Sequence, residues 1–163
     1  MKEELRKPVI NMLSMKVGRD VFDYINTVRN SSVKQRMKKR VQEYMVNPSI
    51  TEQFENLEEK LFLVIIAAEW SSEAQTCVSD LAKLLKTANN ANLVAKVVDY
   101  DNNQDIVEEL SVKRVPTVIV YDRQQRELGR YVEGISRSPS VEEEIVNIIE
   151  KSDRSIPAAA QGA

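Results

Sequence analysis

Apolar positions in the first third of the chain recur with the period of a helix, and from residue 60 that period changes. Val21, Tyr24, Ile25 and Val28 fall at i, i+3, i+4 and i+7, one face of a helix predicted to end near Asn30. Ser32 followed by Gln35 reads as a capping box for a second helix, whose stripe is Val33, Met37, Val41 and Tyr44/Met45 and which Pro48 closes. A short helix from about Thr51 to Glu59 leads into Leu61–Ala68 (LFLVIIAA), apolar on both parities, as expected of a central strand covered on both faces. Ala74, Cys77, Val78, Leu81, Leu84, Leu85 and Ala88 return to helical spacing, and Asn89-Asn90 stops that helix. Leu93–Asp99 is a second strand and Asp105–Leu110 a short helix. A third strand, Thr117–Tyr121, follows Pro116, and a turn near Arg123–Arg126 leads to a fourth, Glu127–Val132. Ser138-Pro139, an N-cap with Pro at N1, opens a last helix to about Lys151, and Ile156–Ala163 reads as a loose tail.

The resulting β-α-β-α-β-β-α order predicts an α/β fold: a four-stranded mixed sheet in the order 93–99, 61–68, 117–121, 127–132, flanked by helices. The first two strands run parallel through a right-handed crossover, and 117–121 runs antiparallel to both its neighbours. The chain divides into an N-terminal helical extension (1–57), an α/β domain (58–153) and a C-terminal tail (154–163).

Composition narrows the chemistry. The 163 residues include one Cys and no His, which excludes an internal disulfide, Cys/His zinc sites and every Ser-His or Cys-His nucleophile pair. The net charge of −2 hides a split: residues 1–50 carry eleven Lys/Arg against five Asp/Glu, net +6, and the remainder twelve against twenty, net −8. Lys2–Val17 lacks the continuous apolar core of a secretory signal, and no stretch reaches transmembrane length, so a reduced, cytoplasmic protein without membrane contact is expected.

Four segments carry a resemblance. Ala67-Ala68-Glu69-Trp70, ending a strand and followed at once by a helix, resembles the thioredoxin active-site segment A-E-W-C-x-x-C. Val98-Asp99-Tyr100-Asp101-Asn102-Asn103 resembles the strand and turn that follow in that fold. Val112-Lys113-Arg114-Val115-Pro116-Thr117 resembles the family's V-x-x-[IV]-P-T, and Tyr131-Val132-Glu133-Gly134 its last strand and glycine turn. The chain thus resembles the thioredoxin-like family over residues 60–150. The resemblance implies that fold, a cis bond before Pro116, and a surface where the backbone of Val115 pairs with an extended polypeptide, with Trp70, Ser71, Glu73, Pro116 and Thr117 around it.

The departures from the family decide the expected activity. Aligned on Trp70, the two dithiol positions are Ser71 and Ala74, the usual active-site proline is Glu73, and the buried acid falls on Ile65. A dithiol needs a first thiol activated at a helix N-terminus and a second to resolve the mixed disulfide, and both sulfurs are missing. Cys77 lies on the apolar stripe, where a thiol is inert; its place near the helix start keeps a reactive monothiol as the other reading. Trp70 is either a hydrophobic cover for the helix start or a contact for a partner chain.

Two further patterns have plain readings. Asp99, Asp101, Asn103 and Asp105 alternate like a calcium loop, but Gln104 and Leu110 stand where Gly and Glu are required, so no metal and no cofactor is expected. Lys34, Arg36, Lys38, Lys39 and Arg40 lack interleaved aromatics and read as a solvated helix face rather than a nucleic-acid surface.

The chain therefore reads as a redox-inactive thioredoxin-like protein that binds another polypeptide. The alternative is a thiol oxidoreductase or redox sensor acting through Cys77, or an engineered chain in which Ser71 replaces a native cysteine. The N-terminal stripes are too apolar to face water. Docking on the body, giving a monomer, is expected ahead of a homodimer through the same faces, because it costs no association entropy.

Overall fold

A computed structural model of the chain describes residues 16–154. The readings made on residues 1–15 and on the tail from 155 lie outside the described residues. In chain order the elements are β1 (Arg19–Asp20), α1 (Val21–Asn26), α2 (Ser31–Glu43), α3 (Pro48–Glu55), β2 (Leu61–Ala67), α4 (Ser72–Ala88), β3 (Leu93–Asp99), α5 (Gln104–Glu109), β4 (Thr117–Tyr121), β5 (Glu127–Val132) and α6 (Val141–Arg154).

The sheet runs β1-β3-β2-β4-β5, with β2 and β3 parallel and every other pairing antiparallel. Four of its strands stand in the expected order. The fifth corrects the four-stranded expectation: Arg19 and Asp20 pair with Val97 and Lys96 at the outer edge. A two-residue strand is too short to show any period in sequence.

Strand β2 is central because alternate side chains serve two cores. Leu63, Ile65 and Ala67 join the larger cluster with α1, α2, α3, α4 and α6, whereas Val64 and Ile66 meet Ile106, Val107, Leu110, Val112, Ile119 and Tyr121 on the other face. Burying one such aliphatic side chain contributes about 1.5–3 kcal/mol, so a strand apolar on both parities is stable only with cover on both faces.

The N-terminal helices supply much of that cover. Val21, Tyr24, Ile25, Val28, Met37 and Val41 belong to the same cluster as Val78, Leu81 and Leu84 of α4, so the helices dock on the body. Helix α4 consequently carries sheet on one side and helices on the other. Besides its apolar stripe it buries Ser79, Asp80 and Ala82, which the sequence pattern did not single out. Asp80 is held by a two-pronged pair from Arg40 on α2, with Nε to Oδ1 at 2.7 Å and Nη2 to Oδ2 at 3.1 Å. The Arg40 guanidinium also lies 4.6 Å from the centre of the Tyr44 ring. The Tyr44 hydroxyl donates to Oε2 of Glu142 at the start of α6, and Glu142 Oε1 is buried with no hydrogen-bond partner.

Several local expectations are corrected by cap chemistry. Helix α1 ends at Asn26, with Thr27 as its C-cap. The cap of α2 is Asn30, whose side chain accepts from the Val33 amide, so Ser31 and Ser32 are inside the helix. Pro48 does not close α2. It opens α3 behind Asn47, because the missing proline N–H is unneeded in a first turn. Helix α2 has ended by Glu43, which takes Met45 off the stripe: it is 82 % exposed, and Val46 is buried instead. Helix α6 begins at Val141, and Ser140 rather than Ser138 accepts from the Glu143 amide. Asn90 does more than stop α4: its amide nitrogen donates to the carbonyls of Phe54, Glu55 and Leu57, closing the end of α3.

Burial raises the Asp80 and Glu142 carboxyls above the ordinary range, outweighing the lowering by Arg40 and by the Tyr44 hydroxyl respectively. A carboxyl raised in the folded state contributes stability that is full below its unfolded pKa and lost as pH rises through the folded value. Glu142→Gln, neutral at every pH, should therefore be more stable than the parent near about pH 7.5, by about 1–3 kcal/mol, and lose that advantage near about pH 4. Thermal unfolding of both proteins across that range checks it; parallel curves would remove Glu142 as the cause.

Candidate functional site

At one end of the sheet, three loops meet around a groove of about 450 Å³. Trp70, Ser71 and Glu73 come from the β2–α4 junction and Tyr100 from the end of β3. Lys113, Arg114 and Val115 precede β4, and Glu133 and Gly134 follow β5. The parallel β2–β3 pair and the antiparallel β4–β5 pair bring these ends together, since β2 and β3 finish where β4 begins and β5 ends.

The first wall is a helix N-terminus. Ser71 is the N-cap of α4: its Oγ accepts from the Ala74 amide at 3.0 Å, and the hydroxyl donates weakly to Glu73 Oε1 at 3.4 Å. The residue at the first dithiol position thus terminates the helix, and that at the second, Ala74, is buried beneath it. Glu69 is turned away to receive the Arg29 amide at 3.1 Å, which ties the α1–α2 connection to the site.

Trp70 is 65 % exposed. Its indole N–H donates to Asp101 Oδ2 at 2.8 Å, and its ring meets Tyr100 edge-on at 6.4 Å. The ring is held by Asp101 and Tyr100 while most of it stays open to solvent, so Trp70 is not a buried cover for the helix start. Ile135, 60 % exposed just past Gly134, adds a second open apolar side chain next to the opposite wall.

The second wall is the loop before β4. The Val115-Pro116 peptide is cis. Pro116 and Thr117 are buried under the groove rather than on it, and Thr117 Oγ1 donates to the Arg114 carbonyl at 2.6 Å. Of the six residues expected around the binding surface, Trp70, Ser71, Glu73 and Val115 line the groove. Pro116 and Thr117 support it from below. The Pro116 carbonyl receives the Glu133 amide at 3.1 Å, whereas the N–H and C=O of Val115 make no hydrogen bond among the described residues. Gly134 closes the third wall with φ +82°; a Cβ there would lie 2.6 Å from Arg114 Nη1.

Sequence reasoning did not single out Tyr100, Lys113, Arg114, Glu133 or Gly134 as site residues, although all five stood within the segments that carried the family resemblance. What was missing was the loop geometry that sets their side chains around one hollow.

Cys77 lies outside the groove, buried within α4. Burial is the main cause that pushes its thiol far above the ordinary range, with the negative charges of Asp80, Glu133 and Glu142 adding to it. The calcium-like run is spent on local structure. Asp99 Oδ2 accepts from the Asn102 amide at 2.9 Å, Asp101 holds Trp70, and Asn103 donates to the Asp99 carbonyl at 3.0 Å. Among the described residues no group of three or more His, Cys, Asp or Glu is placed to hold a metal ion, and no helix is long and apolar enough to cross a membrane.

A sequence model of the thioredoxin family matches residues 18–153. The chain belongs to the thioredoxin family. No curated protein sequence matches it. Among solved structures it is similar to an HIV epitope-scaffold protein, at 15% identity and a TM-score of 0.70, over 86% of this chain and 97% of that one. It is similar also to a Pseudomonas aeruginosa protein of unknown function, at 17% identity and a TM-score of 0.62, over 86% of each chain. Matches of that length do not fit within residues 61–154, so this thioredoxin fold, helices before β2 included, is shared with both. Thioredoxin-2 of a malaria parasite matches over 59% of this chain and 86% of its own, with 22% identity and a TM-score of 0.47.

Two measurements follow from the placement of Ser71 and Cys77. Ser71→Ala removes a cap and should lower stability by about 1 kcal/mol, read from denaturant unfolding. Cys77 should react slowly with iodoacetamide at neutral pH in the native chain and quickly after unfolding; fast native labelling would show the thiol is open to solvent.

Proposed function

We propose that this thioredoxin-family chain binds an extended segment of another polypeptide and carries out no dithiol chemistry. The observation that carries the reading is the Val115 backbone: an N–H and a C=O without described partners, in a loop fixed by its neighbours and facing a groove. An unpaired peptide edge of this kind is completed by adding a short strand, in which backbone hydrogen bonds give affinity and flanking pockets give selectivity. The open face of Trp70 supplies apolar contact area at low entropic cost on one side of that edge, and Ile135 adds to it on the other.

The chemistry of the site supports the second half of the reading. A hydroxyl and a methyl at Ser71 and Ala74 form no disulfide, and the one thiol of the chain sits in apolar packing, protonated at neutral pH. That burial also disfavours a monothiol mechanism at Cys77.

Backbone-amide NMR of the full chain tests binding with a reduced, carboxymethylated unfolded polypeptide as the probe. Saturable shifts at the Val115 amide and the Trp70 indole are expected, weakened by Trp70→Ala. Shifts absent from the groove at millimolar probe would overturn the binding reading. Insulin reduction with dithiothreitol as donor should proceed at the uncatalysed rate, and turnover above it would overturn the reading of the chemistry.

A further inference from the structure

The groove is lined by four charged side chains of both signs, Glu73, Glu133, Lys113 and Arg114, and none is within ion-pair distance of another described residue of opposite charge. The carboxylates have only neutral donors: Ser71 Oγ at 3.4 Å from Glu73, and Tyr131 Oη at 3.1 Å from Glu133. Arg114 reaches across from the cis-proline loop to the turn after β5, where Nη1 meets the Glu133 carbonyl at 3.5 Å. A guanidinium has five N–H donors, so one long bond leaves most of its capacity turned to the groove.

Glu73 stands at the helix start, Lys113 and Arg114 in the loop before β4 and Glu133 after β5, and the Arg114 side chain lies against Gly134, whose φ of +82° favours glycine. We propose that the groove selects an extended peptide segment that carries both charges, a basic side chain against Glu73 and an acidic one against Arg114 and Lys113. This rests on the polypeptide-binding reading and specifies the segment it takes. Along an added strand, residues i and i+2 face the same side roughly 7 Å apart, so two alternate positions suffice to present both charges to the groove.

Selection of a random-peptide phage library on the immobilised full chain, followed by fluorescence titration of selected synthetic peptides, tests this. Trp70 is the chain's single tryptophan, so its emission reports occupancy of the groove. Selected peptides should combine one acidic and one basic residue within a few positions, and binding should weaken as salt rises. Glu73→Lys should weaken them about three- to tenfold and be rescued by peptides with the basic residue made acidic. Arg114→Glu should do the same with the acidic residue made basic. Both positions are exposed, and a circular dichroism spectrum and melting temperature like the parent's confirm the variants' fold. Peptides that quench Trp70 with no charge pattern, or whose pattern ignores both substitutions, would overturn the inference and leave the binding reading standing. A library that yields no peptide reaching Trp70 would overturn the binding reading itself.

Discussion

Everything in this chain hangs on helix α4 being packed from both sides. Its apolar stripe covers the central strand, and its opposite side, with Ser79, Asp80 and Ala82, is covered by helices that precede the sheet in sequence. A helix buried at every position from 77 to 82 has to find partners for its polar groups there. Asp80 finds Arg40, from a helix forty residues earlier, which joins the basic part of the chain to the acidic one. Nearer the start of α4, the Arg29 amide donates to Glu69 and Arg36 donates to Gln75, beside the wall of the groove that Ser71 and Trp70 form. The helical extension is therefore part of the scaffold that positions the site.

The buried polar cluster behind α4 has a cost as well as a use. Glu142 and Asp80 are taken out of water on the same side of the fold, and one oxygen of Glu142 has no partner. A buried ionic cluster of this kind is by itself weak evidence of net stability, because desolvation offsets the attraction. It joins α2, α4 and α6 through Arg40 to Asp80 and Tyr44 to Glu142.

How legible this was in the sequence depended on the range of each signal. The strands were readable because two-sided burial leaves an apolar run that only a central position explains, as in Leu61–Ala67. The loops of the site were readable through four short segments matching one family in order. Cap positions slipped by two residues at Asn30 and Ser140, where a nearby Ser offers the same chemistry and geometry alone decides. Met45 was misplaced because nothing in its own side chain marks the end of α2. The Arg40–Asp80 pair and the charges of the groove join residues 19 to 60 positions apart, and no periodicity reports such a distance. Arg114 stood in the open within the Val112–Thr117 segment, but its reach to Gly134 depends on the two loops meeting.

Ser71 shows how the site persists without sulfur. In a thioredoxin dithiol, the amides at the start of the helix stabilise a thiolate. Here the Ala74 amide donates to a hydroxyl instead, and serine is among the best residues for that position on capping grounds alone. The geometry that lowers a thiol pKa is the geometry that caps a helix, so a change from sulfur to oxygen leaves the wall standing and the helix start satisfied. The other elements of the groove are indifferent to the change. The Val115 edge, the Trp70 face and the glycine turn rest on backbone pairing and on Asp101, none of which involves the exchanged atom. On the proposed reading, binding is separable from dithiol chemistry in this fold, because oxygen at the Ser71 position leaves the groove built and leaves the charges of Glu73 and Arg114 in place to select a segment.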